Sequence, residues 1–333
     1  MYEVISLVKE YHNQVKKSRS LLKEKTTKLA VNNISMDIRE GKIIGLLGIN
    51  GAGKTTTIKM LSSLLKPTSG ELIIDGIDGV ENPFEIKKRV NMVAGGERAL
   101  YWKMTAKENL VYFGTLYNIP KKELEIRISE LLSLVGLEEV KDLEVEKYSK
   151  GMKQRLQIAR GLINNPKYLF LDEPTLGLDV SIAREMRTYV RKLAVEKQKG
   201  LVLTTHYITE AEELCDYIYL INEGTIISQG TPHELIQSAR LGTEIIVRTN
   251  RKTSFTEEVI YPFILKYGNQ VIVMDNLLEL RVSLKRSNVS DFLGLLITQK
   301  IEYESINIAE PTLEATLIEL TKQNSIKGED NNE

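Results

Sequence analysis

Gly48-Ile49-Asn50-Gly51-Ala52-Gly53-Lys54-Thr55 completes a G-x-x-x-x-G-K-[ST] pattern directly after the apolar run Ile43-Ile44-Gly45-Leu46-Leu47. The apolar run reads as a buried strand. Glycines after it let the backbone turn so that successive N–H groups form a nest of donors around an anion. A helix starting near Gly53 adds the positive end of its dipole. In such a loop Lys54 is spaced to reach the β and γ oxygens of a nucleoside triphosphate, and Thr55 to hold Mg²⁺. A glycine-rich turn between a strand and a helix is the plainer reading, so the rest of the chain must decide.

Composition narrows the alternatives. At 333 residues with a formal net charge of +0, the chain has room for about two domains and lacks the basic excess of a protein held to nucleic acid by charge. No nucleic-acid partner is expected. A single cysteine, Cys215, excludes a disulfide framework within the chain, and its helical setting, Glu213-Leu214-Cys215-Asp216, reads as packing. No apolar run reaches the roughly 18 residues of a membrane span, and Met1-Tyr2-Glu3-Val4 does not open a signal peptide. A cytoplasmic chain is expected, brought to a membrane only by a partner.

Along the chain, Val4, Leu7, Val8 and then Ile34-Ser35-Met36-Asp37-Ile38-Arg39 have the alternation of antiparallel strands. Between them, His12 to Lys28 carries Lys16, Lys17, Arg19, Lys23, Lys25 and Lys28 against Glu24, and reads as a solvated loop or a contact for an anionic surface. Ile43–Leu47, Tyr168-Leu169-Phe170-Leu171 and Leu201-Val202-Leu203 are apolar without alternation, the mark of strands buried on both faces of a mainly parallel sheet. Each run ends in polar residues, where a doubly wound sheet carries its function. From about 84 to 161 the pattern is helical, with Leu124, Ile128, Leu131, Leu132 and Val135 on one face and Gly136 as the stop.

The chemistry gathers at those strand ends. Tyr168 to Leu171 leads into Asp172-Glu173. Asp172 is suited to orient Mg²⁺ through its water shell, and Glu173 to polarise the water that attacks a γ-phosphate. Ser149-Lys150-Gly151-Met152 opens an apolar-faced helix, with Ser149 as N-cap and Gly151 allowing close approach. Pro174-Thr175-Leu176-Gly177-Leu178-Asp179 and Thr204-Thr205-His206 follow in order.

In this order the motifs closely resemble those of ATP-binding cassette ATPases over roughly residues 1 to 235. The resemblance implies a P-loop NTPase cassette of α/β class: a mainly parallel sheet core, an antiparallel β subdomain and a helical subdomain, with a small C-terminal α+β domain beyond. It implies ATP and Mg²⁺ as cofactors. Gly48 to Thr56, including Asn50, Gly51, Ala52, Gly53, Lys54, Thr55 and Thr56, look like the Walker A loop; Asp172 and Glu173 look like Walker B and the catalytic base. Ser149, Gly151 and Met152 look like the signature, Asp179 like the D-loop aspartate, His206 like the switch histidine and Tyr11 like the aromatic that stacks on adenine. Thr55 and Asp172 are the implied metal residues, Glu173 and His206 the implied catalytic ones. Two departures stand out. Lys150 and Met152 replace the commonest signature residues, and the place of the Q-loop glutamine falls at Gly96, beside Glu97.

The resemblance also implies partners. One chain carries one phosphate loop and one signature, so a complete site needs a second copy, a homodimer. The segment Glu310-Pro311-Thr312-Leu313-Glu314-Ala315-Thr316-Leu317 resembles the tail helix of ABC-2 type drug, peptide and sodium exporters. Export through a separate transmembrane permease, at the cytoplasmic face of the membrane, is therefore expected. A soluble or regulatory cassette ATPase is the alternative. Tyr101-Trp102 reads either as core or as the permease contact. Residues 240–322 are expected to form an accessory domain of βαββαβ order, possibly ferredoxin-like, and 323–333 a disordered acidic tail.

Overall fold

The computed structural model describes residues 1–16, 23–94, 100–239, 241–248, 268–273, 279–300 and 302–330. Its contacts divide the chain into Met1–Pro232 and His233–Glu333.

The first unit opens with β1 (Tyr2–Lys16) and β2 (Lys23–Ile38), followed by β3 (Ile43–Leu47), α1 (Lys54–Leu61), β4 (Ser69–Ile74) and β5 (Ile77–Asp78). An antiparallel sheet runs β2-β1-β4-β5. Its alternation is that of the sequence: Ile34, Met36 and Ile38 are buried, as are Tyr2, Val4 and Leu7 on the neighbouring strand. The strands extend further than expected. Tyr11 pairs with Lys28, His12 with Thr27 and Lys16 with Lys23. Much of the segment read as a solvated loop is thus the two arms of a ribbon. The local charge hid this, because these residues are strands through pairing with each other, and the segment shows no apolar alternation.

A second sheet, ordered β10-β9-β3-β8-β7-β6, carries the phosphate loop. Its remaining members are β6 (Val90–Val93), β7 (Tyr168–Asp172), β8 (Gly200–Thr204), β9 (Tyr217–Asn222) and β10 (Thr225–Gly230). The β3–β8, β3–β9, β7–β8 and β6–β7 pairs are parallel, and β9–β10 is an antiparallel hairpin. All five residues of β3 and of β8 are buried, which accounts for their unbroken apolar sequence. β6 is the strand that helical periodicity concealed. Four residues between α2 (Pro83–Arg89) and a loop are too few for a period to show.

Tyr2 joins the two sheets. Its ring meets Tyr168 edge-on at 5.5 Å and Phe170 at 6.1 Å, and its hydroxyl donates to the Leu61 carbonyl at 2.7 Å. This aromatic cluster lies in a continuous apolar core with Ile58, Met60 and Leu61 of α1. The end of the phosphate-loop helix is thereby anchored.

Between β6 and β7 lie α3 (Ala106–Leu116), α4 (Lys121–Leu134) and α5 (Lys150–Gly161). α3 begins with a reciprocal cap: the Glu108 N–H donates to Thr105 Oγ1 at 3.1 Å, and the Thr105 N–H to Glu108 Oε2 at 2.8 Å. α4 buries Leu124, Ile128, Leu131 and Leu132, then stops before Gly136, which has φ 65°. α6 (Val180–Val195) and α7 (Ile208–Leu214) follow β7 and β8. Cys215 is buried, and burial pushes its thiol well above the ordinary cysteine range. It packs under Gly45, where a Cβ would stand 2.7 Å from its sulfur.

After α8 (Pro232–Ser238), the second unit has β11 (Thr243–Arg248), β12 (Gly268–Val273), β13 (Glu279–Leu284), α9 (Val289–Thr298), β14 (Ser305–Ala309) and α10 (Leu313–Asp330). Its sheet is ordered β12-β13-β11-β14, with every neighbouring pair antiparallel. Phe292 and Leu296 of α9 pack on Ile245, Val247, Val282 and Leu284, giving a small α+β core. The first helix of the expected βαββαβ order, between β11 and β12, falls outside the described residues. α10 continues to Asp330, into the stretch expected to be a disordered tail. No proline interrupts it, and adding residues to a formed helix is far easier than nucleating one.

Candidate nucleotide site

The phosphate loop joins β3 to α1 at the C-terminal edge of the parallel sheet. Gly53, at the helix start, has φ 106°, and a Cβ there would come within 2.5 Å of the Ala30 carbonyl oxygen. Only glycine fits both the backbone and the neighbour. Gly48 is equally confined: a Cβ would lie 2.1 Å from the Ile221 carbonyl oxygen. The loop is pinned on its far side by the Gly224 N–H, which donates to the Ala52 carbonyl at 2.9 Å. Within this frame Lys54 turns back over the loop and donates to the Gly48 carbonyl at 2.7 Å and to that of Ile49 at 3.0 Å. It is buried, and burial pulls its ammonium below the ordinary lysine range while the Glu173 and Asp172 carboxylates oppose the shift. The cation is held at the mouth of the nest.

β7 and β8 bring their ends to the same place. The Thr204 hydroxyl donates to Asp172 Oδ1 at 2.6 Å and accepts from the Glu173 N–H at 3.1 Å; the same N–H also donates to the Thr204 carbonyl at 3.1 Å. Glu173 is thus fixed in the left-handed region, at φ 52°, unusual for a side chain of its size. This conformation turns the chain sharply after Asp172. Glu173 Oε1 meets His206 Nε2 in a close polar contact.

One cleft of about 260 Å³ unites these groups. Asn50, Gly51, Gly53, Lys54, Thr55 and Thr56 line it from the loop, Glu173 and His206 from the strand ends, and Tyr11, Lys28 and Ala30 from the ribbon. Ala52 is buried beneath the loop, and Asp172 sits behind Glu173 on Thr204. The donor nest, an adjacent cation, a carboxylate and an imidazole suit a nucleoside triphosphate and its hydrolysis.

Ser149, Gly151, Met152 and Asp179 do not line that cleft. Ser149 caps α5, its hydroxyl accepting from the Met152 N–H at 3.2 Å. Gly151 lies under α6, where a Cβ would stand 2.8 Å from Ile182 Cγ2. Asp179 precedes α6 at an exposed N-cap, and the next residue, Val180, is 85% exposed. The signature and the D-loop therefore present a surface of their own. Tyr101 and Trp102 are 46% and 47% exposed, which excludes the core reading. Gly96 and Glu97 lie outside the described residues.

A profile described as "ABC transporter" matches residues 31–176. The ABC transporter ATP-binding protein NatA of Bacillus subtilis (strain 168) is 40% identical over 223 residues, 67% of this chain and 90% of NatA. The chain belongs to the ABC transporter family. Its cassette is also similar to the linearmycin resistance ATP-binding protein LnrL of Bacillus subtilis (strain 168), 33% identical over 298 residues, 88% of this chain and 94% of LnrL. That match is longer than Met1–Pro232, so it runs into the second unit. Among solved structures, the dimeric post-hydrolysis state of the cassette MJ0796 bound to ADP and Pi has a TM-score of 0.59 at 27% identity, over 69% of this chain and 98% of that one. CbiO1 from Clostridium perfringens, part of the ABC transporter complex cbiONQ, has a TM-score of 0.60 at 26% identity, over 72% and 92%. This cassette binds ATP and is a transport ATPase. Among the described residues no helix is long and apolar enough to cross a membrane.

Three members of the site's surroundings escaped sequence reasoning. In the sequence, Thr204 is only part of a polar strand end, Lys28 only one lysine in a basic run, and Glu210 only one acid in the segment after His206. Each acquires its meaning from contacts more than ten residues away in sequence. The signal available for Thr204 was its place at the end of an apolar strand beside another such end.

Proposed function

We propose that two copies of this chain close on two ATP molecules and that hydrolysis reopens them, driving export through a separate membrane permease from its cytoplasmic face. The observation that carries this reading is the split between the two halves of the machinery. Lys54, Glu173 and His206 share a cleft, while the exposed Ser149 at the start of α5, with the buried Gly151 behind it, does not line it. A second copy supplies that helix start.

In this reading Lys54 gives up its two loop carbonyls for the β and γ oxygens, and the N–H groups of the nest hold the rest of the phosphate chain. Glu173 takes a proton from the attacking water; His206, already against Glu173, contacts the γ-phosphate. Tyr11 stacks on the adenine. Thr55 and Asp172 are the groups suited to Mg²⁺, one in the cleft and the other held on Thr204. Two protein oxygens suffice, because Mg²⁺ takes most of its remaining ligands from water and phosphates. Mg²⁺ would neutralise charge that develops on the phosphate oxygens. Ser149, Gly151 and Met152 then meet the γ-phosphate bound by the partner copy, and Asp179 faces the partner across the interface.

The half-exposed Tyr101 and Trp102, with Lys153 Nζ 4.6 Å from the Trp102 ring centroid, are suited to receive a helix of the permease. Export is favoured by the likeness to LnrL and to the bacitracin transport ATP-binding protein BcrA of Bacillus licheniformis, 39% identical over 213 residues, 64% of this chain and 68% of BcrA. The test is ATP turnover and oligomeric state of the parent and Glu173→Gln. The variant is expected to lose turnover, keep ATP and run as a dimer in its presence. Parent-like turnover would remove Glu173 from the role of base.

A further inference from the structure

Lys28 faces the nucleotide cleft beside Tyr11, its direct partner in the β1–β2 register. Directly opposed residues of an antiparallel pair share a face of the sheet. Ala30, at the irregularity where the register shifts between Lys9 and Glu10, also lines the cleft, and its carbonyl is the group that crowds Gly53 at the start of α1. Two residues of strand span roughly 7 Å, a gap that an extended lysine side chain bridges. Lys28 is therefore placed between the base end of the cleft, at Tyr11, and the phosphate nest.

The surrounding charges are informative. Lys9 is engaged elsewhere: its Nζ donates to the Lys66 carbonyl at 2.8 Å and lies 5.6 Å from the Tyr11 ring centroid. Among the described residues no carboxylate forms an ion pair with Lys28. The acidic residue lining the cleft, Glu173, is at the opposite end with Asp172 behind it, beside Lys54. An extended polyphosphate thus meets Lys54 at its outer end and Lys28 where the sugar begins.

We propose that Lys28 binds the α-phosphate of the nucleotide. This rests on Tyr11 being the platform for the base, which sets the direction of the nucleotide in the cleft. An α-phosphate is common to ATP and ADP, so the contact strengthens substrate and product alike. It lowers the concentration of ATP needed without accelerating hydrolysis, and it retains ADP afterwards.

Binding of ATP and ADP to the full chain, measured by calorimetry for the parent, Lys28→Ala and Lys28→Arg, tests the contact. Lys28→Ala is expected to weaken both nucleotides by about tenfold, as for a lost charge-assisted hydrogen bond, and Lys28→Arg to restore both. The dependence on salt should be shallower in Lys28→Ala. Parent-like affinity for both nucleotides would overturn the proposal, and so would a loss confined to ATP, which would place the lysine at the γ-phosphate. The same substitution in a Tyr11→Ala background separates the two readings. A further tenfold loss there supports the phosphate contact whether or not Tyr11→Ala alone weakens binding. No further loss would show that Lys28 acts only through Tyr11, and would overturn the contact.

Discussion

The Thr175 hydroxyl donates to Glu210 Oε2 across 3.0 Å, and both residues are buried. Thr175 lies two residues after Glu173 and Glu210 four residues after His206, so the bond ties together the backbones that carry the two catalytic candidates. Burial pushes the Glu210 carboxyl above the ordinary glutamate range, against hydrogen bonds from Thr205 and Thr175 and the nearby Arg187 charge.

The raised acid has a definite consequence for pH. Between the ordinary glutamate range and its raised value, Glu210 holds a proton in the folded chain and not in the unfolded one. Stability therefore falls as pH rises through that window. Glu210→Gln keeps an acceptor for Thr175 and cannot ionise. The stability of the variant relative to the parent should rise as pH increases above the ordinary glutamate range, compared by urea unfolding. A difference that does not change with pH would mean that Glu210 does not titrate in that window.

Gly53→Ala should be costly twice. The side chain is forced to a positive φ and into the Ala30 carbonyl, a strain of about 1–3 kcal/mol. Urea unfolding should show that loss, and equilibrium binding should show ATP affinity falling with the distorted nest. Full affinity at unchanged stability would contradict the packing of β2 on the loop.

Lys54→Ala leaves the Gly48 and Ile49 carbonyls without their donor and removes the cation from the nest. ATP affinity should fall by at least about tenfold, the scale of one charged hydrogen bond. Since the two carbonyls sit at an open cleft, water replaces the ammonium, and the urea midpoint should move little. A large drop in stability with ATP affinity retained would assign Lys54 to the fold instead.

Gly151→Ala brings a methyl against Ile182, and overpacking of this kind costs about 1–3 kcal/mol. Removing the obstacle with Ile182→Ala should recover stability in the double variant. ATP turnover separates the two duties of this glycine. If stability recovers and turnover does not, Gly151 is needed for the way α5 meets the partner copy; joint recovery would confine it to packing α5 on α6.

Much of this cassette could be read locally. Gly48 to Thr55, Asp172-Glu173 and Ser149 to Met152 are contiguous, and each sits where an apolar period breaks, so chain order alone aligns them. The same reasoning fails where meaning depends on contacts between distant parts of the chain. β6 is four residues long and contributes its edge only beside β7. The charged arms of the ribbon are strands because they pair with each other, while their composition is that of a loop. Thr204 became a hinge of the site through one hydroxyl shared by Asp172 and Glu173, and Gly151 gained a packing duty from Ile182, thirty-one positions away. In the second unit, the strands near 244 and 271 carry a strand period, the last strand lies at Ser305–Ala309, and their order in the sheet did not follow from the periods.

The β1–β2 ribbon has one more consequence, for the behaviour of the protein in solution. β2 is the outer strand of its sheet, and β4 pairs with β1 only as far as Val8, so among the described residues no further strand is paired along the outer parts of the ribbon. A long bare rim invites filament-like stacking between molecules, and lysines spaced along it make that stacking repulsive. The sequence supplies such cations in this segment, at Lys16, Lys17, Arg19, Lys23 and Lys25, and residues of that kind disfavour edge-to-edge pairing.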